Sequence, residues 1–211
     1  MFYSGEDLAS WATRFIQSSI ERNLPKGYFE TVLEIGGGEG FHLEHLKHEF
    51  NLYYLTDVQL RDLTPYAQDL RKSGRLNYVR ANARNLPFDS ETFDRTVIMC
   101  VLHHLGGVEK VLREAHRVTK PNGLISIYLP CDPGMLYRIL RKVFTRGKAR
   151  KLKIDYDYVN AMEHFGSFAS INTLIKRVFC DDKVKIIRFP FGIPSWNLNI
   201  FYTYQIIRKL D

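Results

Sequence analysis

Apolar positions along this chain recur with two different periods, and the switches between them mark out its elements. Leu8, Trp11, Ala12, Phe15 and Ile16 fall at helical spacing behind Ser4 and Asp7, whose side-chain oxygens suit a helix start. Pro25 and Gly27 close that segment. TVLEI, from Thr31 to Ile35, predicts a short strand that runs directly into glycines. Phe41 to Phe50 returns to a helical pattern, and Leu52 to Thr56 predicts a second strand that stops at Asp57. A helix over 60–73 carries a breaker at Pro65, and Asn77 to Ala81 predicts a third strand. Arg95 to Val101 contains TVIMCV, apolar enough for a strand covered on both faces. Val108 to Val118 is helical, Lys120-Pro121-Asn122-Gly123 is a turn, and Leu124 to Leu129 predicts a fifth strand.

Strands and helices alternating in this way predict a parallel sheet with helices on both faces. The last third differs. It opens on a basic amphipathic segment, continues through DYDYVNAMEHFGSFASINTLIKRVF, which predicts a helix pair, and ends in strands from Val184 to Phe189 and from Asn199 to Ile207. Residues 1–211 are therefore expected to form one domain, with a helical insertion or lid over 131–180.

Composition narrows the class. The chain has 211 residues, 45% hydrophobic and 25% charged, an ordinary balance for a soluble globular protein. It has no apolar run of about eighteen residues, the length a membrane-spanning helix needs. MFYSGEDLAS lacks a basic stretch followed by an apolar one, so no secretory leader is predicted and a cytoplasmic location is expected. Cys100, Cys131 and Cys180 are widely spaced; they fit a reducing compartment and outline neither a metal site nor a nucleophile. The net charge of +7 is concentrated between Arg138 and Lys153, where eight cations occur with no acid.

VLEIGGGEG, from Val32 to Gly40, calls for bare backbone immediately after the first strand. In open parallel sheets, ligands bind beyond the carboxyl ends of the strands, so Gly36, Gly38 and Gly40 stand where a side chain would block a ligand's approach. A simple helix-cap turn is the competing reading. The spacing G-x-G-x-G differs from the dinucleotide pattern G-x-G-x-x-G, and the Gly-Lys-Ser/Thr of a phosphate loop is missing. The second strand ends in Asp57, about twenty residues on, where a carboxylate can accept both hydroxyls of a ribose. It can also cap the next turn.

VLEIGGGEG, YYLTD, ANARNLPFDSETFD, VLHHL and TKPNGLISIYLP, in that order, resemble the class I S-adenosylmethionine-dependent methyltransferases, especially the small type 11 group. The resemblance covers roughly residues 31–130. It implies a Rossmann-like, seven-stranded, mostly parallel sheet whose last strand is antiparallel, and S-adenosylmethionine as cofactor. By the same resemblance, Glu34 orients the glycine turn or meets the methionyl ammonium through a water. Gly36, Gly37, Gly38 and Gly40 line the methionine and sugar portions, and Asp57 takes the ribose. Asn82 stands where the family usually has Asp facing the adenine amino group; its carbonyl can still accept, and the Ala83 amide can donate to a ring nitrogen. The exchange loses a charge-assisted bond, so weaker cofactor binding is expected. Cys100 contributes backbone toward the ammonium, with its thiol a small core group.

A hydroxyl or ammonium acceptor must lose a proton, which calls for a base near neutrality. His104, with His103 next, follows the fourth strand where acceptor meets cofactor in this family. The same VLHHL also opens a helix in members without a histidine base. His42, His45 and His48 recur at three-residue steps; no cysteine or carboxylate cluster completes a metal site, so they are expected on a solvated surface and no metal is expected. Tyr156, Tyr158, His164 and Phe165 in the insertion serve either as an aromatic roof over the acceptor or as packing of a small helical cap.

The basic run and its apolar stripe (Met135, Leu136, Ile139, Leu140, Val143, Phe144) admit three readings. They are a solvated helix face, a surface for an anionic substrate, and a peripheral membrane contact through 135–153. Nucleic acid ranks last because no aromatic-basic interleaving accompanies the charge. EHFGSFASINTLIKRVF and FPFGIPSWNLN resemble methyltransferases encoded with bacterial surface-polysaccharide enzymes. The expected reaction is O-methylation of a small-molecule, sugar or glycolipid intermediate. The alternative is a degenerate member that acts as a cofactor-binding or scaffold subunit.

Overall fold

Strand-forming runs at seven places pair into a single sheet in the computed structural model, which describes residues 8–22, 24, 27–140, 142 and 165–210. They are β1 (Tyr28–Ile35), β2 (Glu49–Asp57), β3 (Leu76–Arg80), β4 (Phe93–Ile98), β5 (Thr119–Pro130), β6 (Lys183–Phe189) and β7 (Phe201–Ile207). Their order across the sheet is β3-β2-β1-β4-β5-β7-β6. β1 to β5 pair in parallel, and β7 runs antiparallel to both of its neighbours, as the resemblance implies. The order reverses at β1, so the crevice beyond β1 and β4 is the topological switch point at which such sheets bind ligands.

Each face of the sheet carries its own core. On one, α3 (Val108–Val118) and α4 (Phe168–Val178) bury Val111, Leu112, Ala115, Ile171 and Ile175 against Ile98, Ile125 and Ile127. On the other, α2 (Pro65–Lys72) and the segment after α1 (Leu8–Ser19) bury Ala67, Leu70 and Ile20 against Val32, Tyr53, Leu55 and Val97. Pro65 does not interrupt a helix but begins one. Thr64 accepts from the Ala67 amide, and proline at the first helical position has no amide that needs a partner. Lys120 to Gly123 bulge out of β5, because Phe93 pairs with Thr119 while Arg95 already pairs with Leu124.

Two further expectations need correcting. The helix expected over 41–50 is a short 3₁₀ turn, Phe41–His45, and Glu49 and Phe50 already belong to β2. The histidines expected on a solvated surface are mostly interior. His42 and His48 are buried, and both lie 3.2 Å from the buried Glu21 carboxylate. Arg95, also fully buried, donates to Glu21 (2.6 Å), to His48 Nδ1 (2.8 Å) and to Ser126. Ser126 donates to Gln205, whose amide donates to the Ile20 carbonyl. Burial alone would raise the Glu21 carboxyl, but the neighbouring His42 and His48 rings and the Arg95 guanidinium hold it far below the ordinary carboxylate range. Burial lowers the His48 imidazole, in keeping with a neutral ring whose nitrogen accepts from arginine. The carboxylate that partners these histidines comes from the turn after α1, and the cation comes from β4. Only the topology brings them together.

Candidate active site

The carboxyl ends of β1, β2, β3 and β4 stand side by side, since Ile35 pairs with both Thr56 and Ile98, and Asp57 pairs with Arg80. Immediately beyond them, the Gly36 and Gly37 amides donate to the Thr56 carbonyl (2.8 and 3.1 Å), and Gly38 donates to Asp57 Oδ2 (3.1 Å). Gly36 has φ +72°, and a β-carbon there would lie 2.5 Å from Val101 Cγ2, so the glycine turn presses against the exit of β4. At Gly38 the situation is different: a β-carbon would meet nothing nearer than Asp57 Oδ2 at 4.0 Å. The space over Gly38 is open and has a carboxylate at its side.

Asp57 accepts from Gly38 and, through Oδ1, from the Gln59 amide (3.0 Å). A carboxylate offers about four acceptor sites, so two amides leave it able to take ribose hydroxyls. Ala81 donates to the Asp57 carbonyl (2.9 Å), which sets Asn82 just past the end of β3. The Asn82 carbonyl Oδ1 accepts from the Arg84 amide (3.0 Å), so the side chain that replaces the family's Asp already closes a local turn. The Ala83 amide donates to no group among the described residues. Arg84 Nε donates to the Gly106 carbonyl (2.8 Å), joining this loop to the one that follows the histidine pair.

Glu34 does not reach the open crevice. It is buried, and its Oε2 accepts from the Tyr53 hydroxyl at 2.8 Å. Burial raises its carboxyl, with Tyr53 and distant cations opposing. A β-carbon at Gly37 would lie 2.8 Å from the Glu34 carboxyl carbon. Of the two roles implied for Glu34, this placement suits bracing the glycine turn from below. Tyr78 fixes the same turn from β3, with its hydroxyl donating to the Gly38 carbonyl (2.7 Å) and accepting from the Arg61 amide (3.0 Å). Neither tyrosine was flagged by the sequence. The available signal was the acid inside an apolar strand, which requires a buried donor on a neighbouring strand.

Beyond β4 the chain turns sharply. Cys100 has φ +54°, a left-handed conformation uncommon for a residue with a side chain. Burial pushes its thiol up to about 12, so it is no nucleophile at neutral pH. The turn leads into a 3₁₀ segment, Leu102–His104, with His103 buried, His104 half-buried and the two ring centroids 4.0 Å apart. The His103 carbonyl accepts from the Phe165 and Gly166 amides (2.9 and 3.3 Å), and the Phe168 amide donates to the Asp132 carbonyl (2.8 Å). The segment that leaves after β5 therefore returns onto the histidine pair. Phe165 is 74% exposed there, while Tyr156, Tyr158 and His164 lie outside the described residues.

A glycine turn against the fourth strand, an open crevice, and an acid at the end of the second strand stand together in an α/β fold with the class I methyltransferase architecture. Residues 33–127 match the family model for the methyltransferase domain. This chain is therefore similar to methyltransferases over that span, and the crevice fits the S-adenosylmethionine that such a domain implies. A ubiquinone/menaquinone biosynthesis C-methyltransferase of Haemophilus ducreyi is 33% identical over 104 residues, which cover 46% of this chain and 40% of that protein. The N-methyltransferase NodS of Bradyrhizobium japonicum, solved with S-adenosylhomocysteine, superposes with TM-score 0.62 at 12% identity, over 96% of this chain and 89% of its own. The [4+2]-cyclase SpnF superposes with TM-score 0.66 at 13% identity, over 100% of this chain and 86% of its own. Among the described residues, no helix is long and apolar enough to cross a membrane.

Proposed function

We propose that this chain transfers the methyl group of S-adenosylmethionine to an oxygen of a small-molecule, sugar or glycolipid acceptor, with His104 as the base. When bound, the cofactor supplies an electrophilic sulfonium methyl. The protein's part is to hold it and to place and deprotonate the acceptor. Gly36, Gly37 and Gly38 give close approach, Asp57 takes the ribose hydroxyls, and Asn82 with the Ala83 amide faces the adenine. Backbone at Cys100 lies toward the methionyl end. Gly40 opens the 3₁₀ turn behind the crevice at φ +82°, so its part is to shape the loop. The observation that carries the reading is the open space over Gly38 beside Asp57, in a glycine turn that packs on Val101, three residues before the half-buried His104. The C-methyltransferase relative is matched over 40% of its length, so its acceptor atom does not transfer to this chain.

Calorimetry with S-adenosylhomocysteine tests the cofactor half. Binding is expected in the wild type and loss of it in Asp57→Ala, where the ribose hydroxyls lose their acceptor. His104→Gln should bind the product normally while methyl transfer falls about 10²–10⁴-fold, the usual share of a general base. Activity unchanged in His104→Gln removes the base from the scheme. The chemical shift of an isotopically labelled methyl in the product separates transfer to oxygen from transfer to nitrogen or carbon.

A second reading has an observation of its own. The Asn82 carbonyl is already engaged by Arg84, and a cyclase shares the fold, so a subunit that binds the cofactor without transferring its methyl is compatible with the same architecture. Wild-type binding without turnover on any acceptor would favour it.

A further inference from the structure

We infer that the surface made by residues 135–140, Lys142 and the β6–β7 loop docks on an anionic phospholipid bilayer and turns the acceptor side of the site toward it. This rests on the methyl-transfer reading above, and it names the setting in which the acceptor is met. β5 runs parallel to β4 and its last residue, Pro130, pairs with Phe201, the first of β7. Both the chain leaving β5 and the loop entering β7 therefore stand at the carboxyl end of the sheet, beside the crevice. They meet there: Asn197 Oδ1 accepts from the Met135 amide (3.4 Å), and Pro133, Met135, Arg138, Ile139, Lys142 and Asn197 line a groove of about 250 Å³.

The chemistry of this surface is mixed in a particular way. Met135, Ile139, Phe191, Ile193 and Leu198 are between 39% and 63% exposed, a concentration of large apolar side chains that water disfavours. Residues 190–200 carry no charge at all. Beside them stand Arg138 and Lys142, the described members of a run of eight cations with no acid from Arg138 to Lys153. The loop is held in shape rather than left loose, since Asn199 is buried and its amide donates to the Ile193 and Ser195 carbonyls (2.9 and 2.7 Å). An uncharged apolar loop flanked by these cations complements a bilayer with anionic headgroups: the cations meet the phosphates and the apolar tips enter the interface. A soluble anion would satisfy Arg138 and Lys142 but gives no role to Phe191, Ile193 and Leu198. A protein partner built on the apolar residues alone gives none to the cations.

The test is sedimentation of the full chain with phosphatidylcholine vesicles, with and without phosphatidylglycerol, while S-adenosylhomocysteine calorimetry is run in parallel. Binding to the anionic vesicles, weakened by salt, and little binding to the neutral ones is expected. Arg138→Glu/Lys142→Glu should weaken it by at least about 25-fold, at about fivefold for each cation lost near an anionic surface. Phe191→Ser/Ile193→Ser should weaken it too while leaving its salt dependence in place. Both double variants should keep wild-type binding of S-adenosylhomocysteine, which separates failure of this surface from failure of the cofactor reading. Equal binding to neutral vesicles, binding to neither, or full competition by inorganic phosphate overturns the inference. So does a concentration-dependent dimer that Phe191→Ser/Ile193→Ser abolishes.

Discussion

Gly36→Ala probes the contact between the glycine turn and the exit of β4. The new methyl would lie 2.5 Å from Val101 Cγ2 and 3.0 Å from Val101 Cβ, against an ordinary carbon–carbon contact of about 3.5–4.0 Å. Residue 36 also sits at φ +72°, where an L side chain costs about 1–2 kcal/mol. Overpacking of this kind adds about 1–3 kcal/mol, so the turn loses about 2–5 kcal/mol in all. The chain cannot swing away cheaply, because the Gly36 and Gly37 amides are both bonded to the Thr56 carbonyl. Urea denaturation reports how much of that cost reaches global stability, and product calorimetry reports how much reaches the crevice, at tenfold in affinity for each 1.4 kcal/mol or so. Adding Val101→Ala removes the overlapping methyls but not the backbone cost, so the double variant should recover most of the overlap and remain about 1–2 kcal/mol below wild type. Wild-type stability and affinity in Gly36→Ala would refute the reasoning. A double variant no better than the single would refute the part assigned to Val101.

Arg95→Met should lower the free energy of unfolding by about 3–5 kcal/mol, because it leaves the Glu21 carboxylate buried without its main cation. Glu21→Leu/Arg95→Met together should recover most of that loss, and strictly additive losses in denaturation would show that the two are not one unit. Stability should also fall on acidification. His48 titrates lower folded than its ordinary 6.5, so the unfolded chain binds more protons and stability declines as pH drops below about 6.5. Glu21 adds a second decline below about 4.5, its ordinary value, because its folded carboxyl is held far lower, while the raised Glu34 acts in the opposite sense. A thermal-melt series that stays level from pH 7 to about 5 would remove His48 from this account.

Where a pattern is local, the sequence disclosed it. α3 occupies the predicted span, Val108–Val118, because its apolar stripe repeats at helical spacing and a single face is buried. The glycine turn and Asp57 were legible for a similar reason: each sits where an apolar strand ends. What escaped was set by residues far apart in the chain. His42 and His48 read as surface because helical spacing says nothing about Glu21 and Arg95, which reach them across 21 to 47 positions of sequence. That Glu34 would turn to Tyr53 depended on the register of β1 on β2, which no single strand encodes. The left-handed backbone at Cys100 has no marker in composition, since glycine is absent where its conformation is used.

The two halves of the site are fastened by different means, and this bears on how an acceptor is chosen. The cofactor side is closed by backbone bonds between adjacent strand exits, with Gly36 and Gly37 on Thr56 and Ala81 on Asp57, so it follows from the sheet itself. The side proposed for the acceptor is closed by Phe165 and Gly166 on His103 and by Phe168 on Asp132, bonds made by chain that enters only after β5. The family match ends at residue 127, before any of that chain begins. A sheet of this kind can therefore keep one cofactor geometry while the segments after β5 vary without disturbing it. Fold-level likeness to an N-methyltransferase and to a cyclase accords with such a division of labour, and on the proposed function the choice of acceptor falls to the segments after β5, which the family match does not reach.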